Sequence, residues 1–154
     1  MNVLVLVEPP FMLVEPVETR APSSLFGMND ADLLAGFDAG TLPRFPHEDH
    51  LRVVYLMLQE GDERDALARV TAGIRAMAAA NGKPEAFHVT RTAAWTRIIA
   101  SLTVDGAWPD SAAFVAAHPQ LLRRDLLSDY YSDALLTSDA ARTSFAHPDL
   151  APLP

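Results

Sequence analysis

The sequence contains no cysteine, and this absence excludes several kinds of chemistry at once. Without thiols there is no disulfide framework, no thiolate zinc site and no cysteine nucleophile, so a bound metal would need His, Asp and Glu ligands. The chain also lacks a glycine-rich phosphate loop, a Gly-x-Ser-x-Gly elbow and a His-Glu-x-x-His pattern. We therefore expect none of the three enzyme sites that these motifs form.

Basic residues are few, and none of them form a run. Twelve Lys and Arg oppose twenty Asp and Glu, which gives a formal net charge of −8. We therefore expect neither nucleic acid nor an anionic membrane surface as a partner. The apolar beginning, MNVLVLVEPPFMLVEPVE, has no basic flank and is interrupted by Glu8, Pro9 and Pro10. It does not match an export signal or a membrane span, so the sequence predicts a cytoplasmic protein.

The remaining pattern predicts an all-α, single-domain helical bundle over residues 29–154, preceded by an irregular, partly extended arm over residues 1–28. A chain of 154 residues with 49% hydrophobic side chains suits one globular domain. Prolines disfavour helix in the arm, which has at most a short strand at Asn2–Val7. We expect the arm to cover the domain or to pair with a second copy as a homodimer. Helices are predicted from Asn29 to Gly40, Pro46 to Gly61, Asp62 to Asn81, Pro84 to Val104, Ser111 to Ala117, Leu121 to Tyr131 and Ser138 to Phe145, with a non-helical tail.

The stretch FPHEDH, residues 45–50, is the main candidate site. His47 and His50 are three residues apart, so they share a helix face beside the apolar stripe. Glu48 and Asp49 suit the first turn of a helix, whereas two inward-facing histidines need partners. On the helix predicted from Pro84, His88 lies on the face of Trp95 and Ile99 and is also expected to point inward.

If those helix ends are adjacent, the three histidines converge. They could then act as a general acid and base, with Asp49 orienting an imidazole and Arg91 binding an anionic group of the substrate. The same set, His47, His50 and His88, could instead bind a divalent metal, with Asp49 or Glu48 supplying an oxygen. A third interpretation is structural, since a buried histidine is more often a hydrogen-bonded core residue.

The leading functional hypothesis is a small-molecule enzyme that uses this histidine cluster for acid–base chemistry, of hydrolase, lyase or cyclase type, in specialised metabolism. One alternative is a metal-dependent enzyme with a His-based site. The other is a non-catalytic small-molecule-binding or protein-interaction domain. His118 and His147 each precede a proline and are predicted to be turn residues, and Tyr130 and Tyr131 are predicted to pack in the core.

Three stretches, LLAGFDAGTLPRFPHEDHLRVVYLML, AFHVTRTAAWTRIIA and the segment from LLRRDLL to the final LAPLP, resemble a widespread family of small bacterial proteins of unknown function. Its members carry a Gly-Thr-Leu-Pro turn, a His-x-Asp-His helix start and a later helix of Tyr-His-Glu-Thr type. The resemblance covers Leu33 to the C-terminus. It implies that His47, Asp49, His50, His88 and Thr90 stand at motif positions. The chain departs from the family at Val89, where an acidic residue is usual.

Overall fold

The computed structural model describes residues 28–154. Over this range the chain forms seven α-helices and no β-strand, which confirms an all-α helical domain. The helices are α1 (Asp30–Ala39), α2 (His47–Glu60), α3 (Glu63–Ala80), α4 (Val89–Thr103), α5 (Ser111–Ala117), α6 (Asp133–Leu136) and α7 (Asp139–Thr143), and short 3₁₀ helices cover Pro84–Ala86, Pro119–Leu122 and Leu126–Asp129. The predictions for the arm, including the strand at Asn2–Val7 and the homodimer contact, concern residues outside the described range.

Side-chain caps begin most of the helices at the predicted places. The Asn29 side chain accepts a hydrogen bond from the backbone N–H of Asp32 at the start of α1, and Asp62 caps α3 in the same way. Ser138 caps α7 as predicted. Gly40 ends α1 with a φ of 69°, a left-handed conformation that glycine adopts without strain. These boundaries follow from local chemistry, which is why the sequence predicts them.

Two predicted helices are wrong in their extent. The helix predicted from Pro84 to Val104 begins instead at Val89, because the backbone is extended at Phe87 and His88. The helix predicted over Leu121–Tyr131 is two 3₁₀ helices joined by a break. Leu121 and Leu126 are both buried although they are five residues apart, a spacing that would place them on different faces of one α-helix. The break lets both leucines reach the core.

Helix α2 lies at the centre of the domain and packs against α1, α3, α4 and α5. Its Leu51, Val53, Val54 and Met57 are buried together with Ile99 of α4. A buried apolar cluster that reaches from α1 to α6 surrounds them, and its members also include Leu33, Phe37, Val70, Trp95, Phe114, Leu121, Leu127, Tyr131 and Leu136. This cluster fixes the positions of the helix ends on which the predicted site residues lie.

No helix in residues 28–154 combines the length and the apolar character that crossing a membrane requires. The longest, α3, has 18 residues and carries charged side chains on several turns.

Candidate functional site

His47, the first residue of α2, is bound to the C-terminal half of the chain. Its Nε2 lies 2.8 Å from the carbonyl oxygen of Leu121. A carbonyl can only accept, so Nε2 carries the hydrogen and donates it. The ring also packs edge-on against Trp95, with 4.9 Å between ring centroids. Burial lowers the pKa of His47, which favours the neutral ring that this arrangement uses.

His88 has a partner at each ring nitrogen. Its Nε2 donates to the carbonyl oxygen of Leu136 at 2.8 Å, and its Nδ1 accepts from the backbone N–H of Arg91 at 3.2 Å. The residue is therefore the N-terminal cap of α4. Burial lowers its pKa, so the ring is held in its neutral form. Neither nitrogen has a free lone pair for a general base, and the Arg91 side chain is exposed.

His50 differs from His47 and His88 because a buried nitrogen of its ring has no partner among the described residues. Its Nε2 is buried and has no hydrogen-bond partner within residues 28–154. The ring lies 5.5 Å from the Phe45 ring, centroid to centroid. Burial, with a smaller contribution from nearby His47, lowers the pKa of His50 to about 4. A base this weak is poorly matched to proton transfer near neutral pH, where a catalytic pKa close to the working pH is most effective.

The predicted metal ligands do not form one group. Within the part of the chain that the structure describes, no three or more His, Asp or Glu side chains are placed so that they could hold a metal ion. His47, His50 and His88 are therefore not brought together as a ligand set. The reason lies in the helix boundary, because His88 caps α4 and turns both of its nitrogens to backbone groups.

Asp49 faces an arginine and not an imidazole. Its Oδ1 lies 3.3 Å from an Nη atom of Arg52, and both side chains are buried. Burial raises the pKa of Asp49, and the charge of Arg52 opposes that rise. Residues one or two positions apart on a helix point in different directions, so Asp49 cannot share the face of His47 and His50. The predicted role of orienting an imidazole therefore does not match the geometry.

Arg52 is the centre of a buried ionic network that the sequence analysis did not find. Besides Asp49, its guanidinium donates to Ser111 Oγ at 2.7 Å, to the Met28 carbonyl at 2.7 Å and to Asp30 Oδ1 at 3.1 Å. Burial alone would raise the pKa of Asp30, but hydrogen bonds from Ser111 and Arg52 lower it. The network joins the first residues of α1 and α5 to α2.

A groove lies elsewhere, on the outer side of α3 and α4. This groove, called the α3–α4 groove below, has a volume of about 850 Å³. The C-terminal segment, residues 145–153, forms its third wall. The apolar lining includes Leu67, Phe87, Val89, Phe145, Leu150 and Leu153, and the charged lining consists of Glu63, Arg75, Arg97 and Asp149. Phe145 and Leu150 are 43% and 59% exposed, so the groove presents apolar surface to solvent.

Hydrogen bonds hold the C-terminal segment in place along its length. The Asp149 carboxylate accepts from the backbone N–H and the hydroxyl of Ser132, at 2.7 and 2.6 Å. The Tyr130 carbonyl accepts from the N–H groups of residues 150 and 151. Arg97 Nε donates to the Pro154 carbonyl at 2.9 Å. The wall of the groove is therefore preformed and does not need a ligand to order it.

Thr90, which stands at a motif position in the resemblance, also ties the C-terminal segment to α4. Its hydroxyl donates to the Ser144 carbonyl at 3.0 Å and accepts from the Ala146 N–H at 2.9 Å. The Tyr131 hydroxyl donates to the Ala146 carbonyl at 3.0 Å, so this tyrosine has a buried ring and a bonded hydroxyl. Tyr131 thus packs in the core as predicted.

His147 lines the groove, a role that its position before proline did not indicate.

Comparison with known protein families, with curated proteins and with solved structures finds no match for this chain. The resemblance to a family of small bacterial proteins therefore stays a prediction. Conclusions about function rest on the residues of this chain alone.

Proposed function

We propose that the protein binds a small molecule in the α3–α4 groove as a non-catalytic binding domain. The observation that supports this most directly is the groove itself, with its volume of about 850 Å³ and its preformed walls. Ligand sites in proteins typically have volumes of roughly 300–1,000 Å³ and combine a mainly apolar lining with a few polar groups. The lining of this groove has the same character.

The contacts of His47, His50 and His88 give little support to a catalytic role. His47 and His88 each donate to a backbone carbonyl in the C-terminal half of the domain. Both bonds join the first turn of a long helix to a segment more than forty residues away in sequence. Such bonds satisfy buried polar groups and fix helix ends, which is the structural interpretation of the histidines. The acid–base enzyme stays a prediction with less support, because His50 is a weak base and His88 has no free nitrogen.

A neutral fluorescent probe tests the proposal without knowledge of the natural ligand. N-phenyl-1-naphthylamine gains fluorescence when it enters an apolar site, so we expect saturable binding to the wild-type protein at one site per chain. Ala93 lines the groove from α4, and Ala93→Phe places a ring inside it. We expect this variant to bind the probe at least tenfold more weakly, a loss of about 1.4 kcal/mol.

The matched control is Ala112→Phe, which adds the same ring at an exposed position of α5 outside the groove. Circular dichroism and thermal melting of both variants establish that they are folded. Probe binding by folded Ala93→Phe that equals the wild-type value would reject the groove as the binding site. A wild-type protein that shows no saturable binding would reject the proposed function itself.

A further inference from the structure

We infer that the ligand of the α3–α4 groove is an amphipathic monoanion, an apolar body that ends in one carboxylate, and that Arg75 binds the carboxylate. This inference rests on the proposed function and names the chemical class of the ligand. Its basis is the pairing of charges in the groove, the position of Arg75 and the apolar surface beside it.

Three of the four charged groups of the groove already have partners. Arg97 lies 3.6 Å from Glu63 and also donates to the Pro154 carbonyl. The Asp149 carboxylate accepts two hydrogen bonds from Ser132. Arg75 forms neither a hydrogen bond nor an ion pair with any residue in 28–154. Among these four groups, Arg75 is therefore the one whose N–H donors have no partner in residues 28–154.

Arg75 is positioned by an aromatic ring at the edge of the groove. The carbon at the centre of its guanidinium lies 4.5 Å from the centroid of the Phe87 ring. Phe87 is buried, so it offers a fixed face on which the cation rests. A guanidinium has five N–H donors in a planar arrangement that matches a carboxylate. The face of the Phe87 ring is not a conventional hydrogen-bond acceptor, so it occupies none of these donors. The donors of Arg75 are therefore free to bind an anion.

The other residues that line the groove indicate which class of anion fits. The walls next to Arg75 are apolar, formed by Leu67 and Val89 on the helices and by Phe145, Leu150 and Leu153 on the C-terminal segment. A ligand that fills this space needs an apolar body. Glu63 and Asp149 also line the groove, so a dianion such as a phosphate monoester would face two carboxylates with one free arginine. A single carboxylate matches the free donors of Arg75, and an apolar body matches the apolar walls.

Displacement of N-phenyl-1-naphthylamine from the full-length protein provides the test, with decanoate and decan-1-ol as competitors below their aggregation concentrations. These two compounds have the same ten-carbon length and differ in the charge of the end group. We expect decanoate to displace the probe at about tenfold lower concentration, in line with a charge-assisted hydrogen bond. Arg75→Met should remove this preference and leave decan-1-ol displacement unchanged, and Arg75→Lys should retain part of it.

Arg64→Met is the matched control, because Arg64 is an exposed arginine on the same helix that does not line the groove. It should behave as the wild-type protein does. Equal displacement by decanoate and decan-1-ol, or a decanoate preference that survives in Arg75→Met, would overturn the carboxylate assignment while the binding function stands. Failure of the probe and of both competitors to bind would overturn the proposed function together with this inference.

Discussion

The buried imidazole of His50 leads to a specific expectation for the pH dependence of stability. Its folded-state pKa is about 4, whereas a histidine side chain exposed to water has a pKa of 6.5. The unfolded chain therefore takes up a proton at this residue before the folded protein does. The free energy of unfolding falls as the pH drops below 6.5, and the loss is complete near pH 4. One pKa unit corresponds to about 1.4 kcal/mol, so His50 alone accounts for about 2 kcal/mol between pH 8 and pH 5 and about 3 kcal/mol in total.

His50→Leu removes this proton-binding group and also removes a buried nitrogen that has no partner. We expect the variant to be at least as stable as the wild-type protein at pH 8, because a buried polar atom without a partner costs about 1–3 kcal/mol. The difference in stability between variant and wild type should then grow by about 2 kcal/mol between pH 8 and pH 5. Contributions of Asp49 and the other histidines are common to both proteins and cancel in this difference.

Urea unfolding monitored by circular dichroism at four or five pH values measures the difference. His147→Leu is the matched control, since it makes the same replacement at an exposed histidine. A difference between His50→Leu and the wild-type protein that stays constant from pH 8 to pH 5 would refute the reasoning. It would mean that His50 titrates in the folded protein as it does in the unfolded chain.

Two further substitutions test the structural contacts, and one deletion tests the arm. Arg52→Leu leaves the carboxylates of Asp30 and Asp49 without their shared partner, so the free energy of unfolding should fall by about 3–5 kcal/mol in urea titration. Thr90→Val keeps the side-chain shape but removes a hydroxyl with two backbone partners, and a loss of about 1–3 kcal/mol is expected in the same assay. Removal of residues 1–27 should lower the melting temperature or change the number of chains per particle, measured by light scattering.

Each of these three predictions can be contradicted by a specific result. If Arg52→Leu were no less stable than the exposed-site variant Arg64→Leu, the buried ionic network would contribute nothing. Thr90→Ser, which retains the hydroxyl, should stay closer to the wild-type value than Thr90→Val does. A truncated chain with an unchanged melting temperature and an unchanged number of chains per particle would show that the arm neither covers the domain nor joins two copies.

The sequence predicted the fold well where the signal is local. A cap such as Asn29 or Ser138 acts on a backbone N–H three residues away, so its effect is visible in a short window. The same holds for the apolar stripe of α2, which repeats at the helical period. The start of α4 was mispredicted because Phe87 and His88 satisfy their groups by contacts outside the helix, and no local pattern distinguishes this from another helical turn.

The candidate site was harder to predict because its partners are distant and include backbone atoms. His47 and His88 donate to the carbonyls of Leu121 and Leu136, which lie 74 and 48 residues away. Every residue has a carbonyl, so the sequence carries no signal for which one accepts. The sequence indicated that these histidines need partners, but it could not show that the partners are main-chain groups.

The α3–α4 groove could not be predicted from the sequence for a related reason. One wall comes from a tail without helical or strand period, AHPDLAPLP, whose position depends on contacts with α4 and with Ser132. Phe87 and Arg75 are twelve residues apart, and only the turn around Pro84–Ala86 brings them together. An arginine on a surface helix gives no indication by itself that an aromatic ring supports it.

The attachment of the C-terminal segment has a consequence for biosynthesis. Among the described residues, this segment leaves the ribosome last, after the helices against which it packs. Until it emerges, Leu67, Phe87 and Val89 lack the wall that partly covers them in the finished protein. A product terminated before Ala146 would expose this apolar strip permanently, and the Thr90 hydroxyl would lose the hydrogen bond that it accepts from the Ala146 N–H. Such truncated chains should be the ones that chaperones and proteases retain, because they expose apolar surface that residues 145–153 otherwise cover.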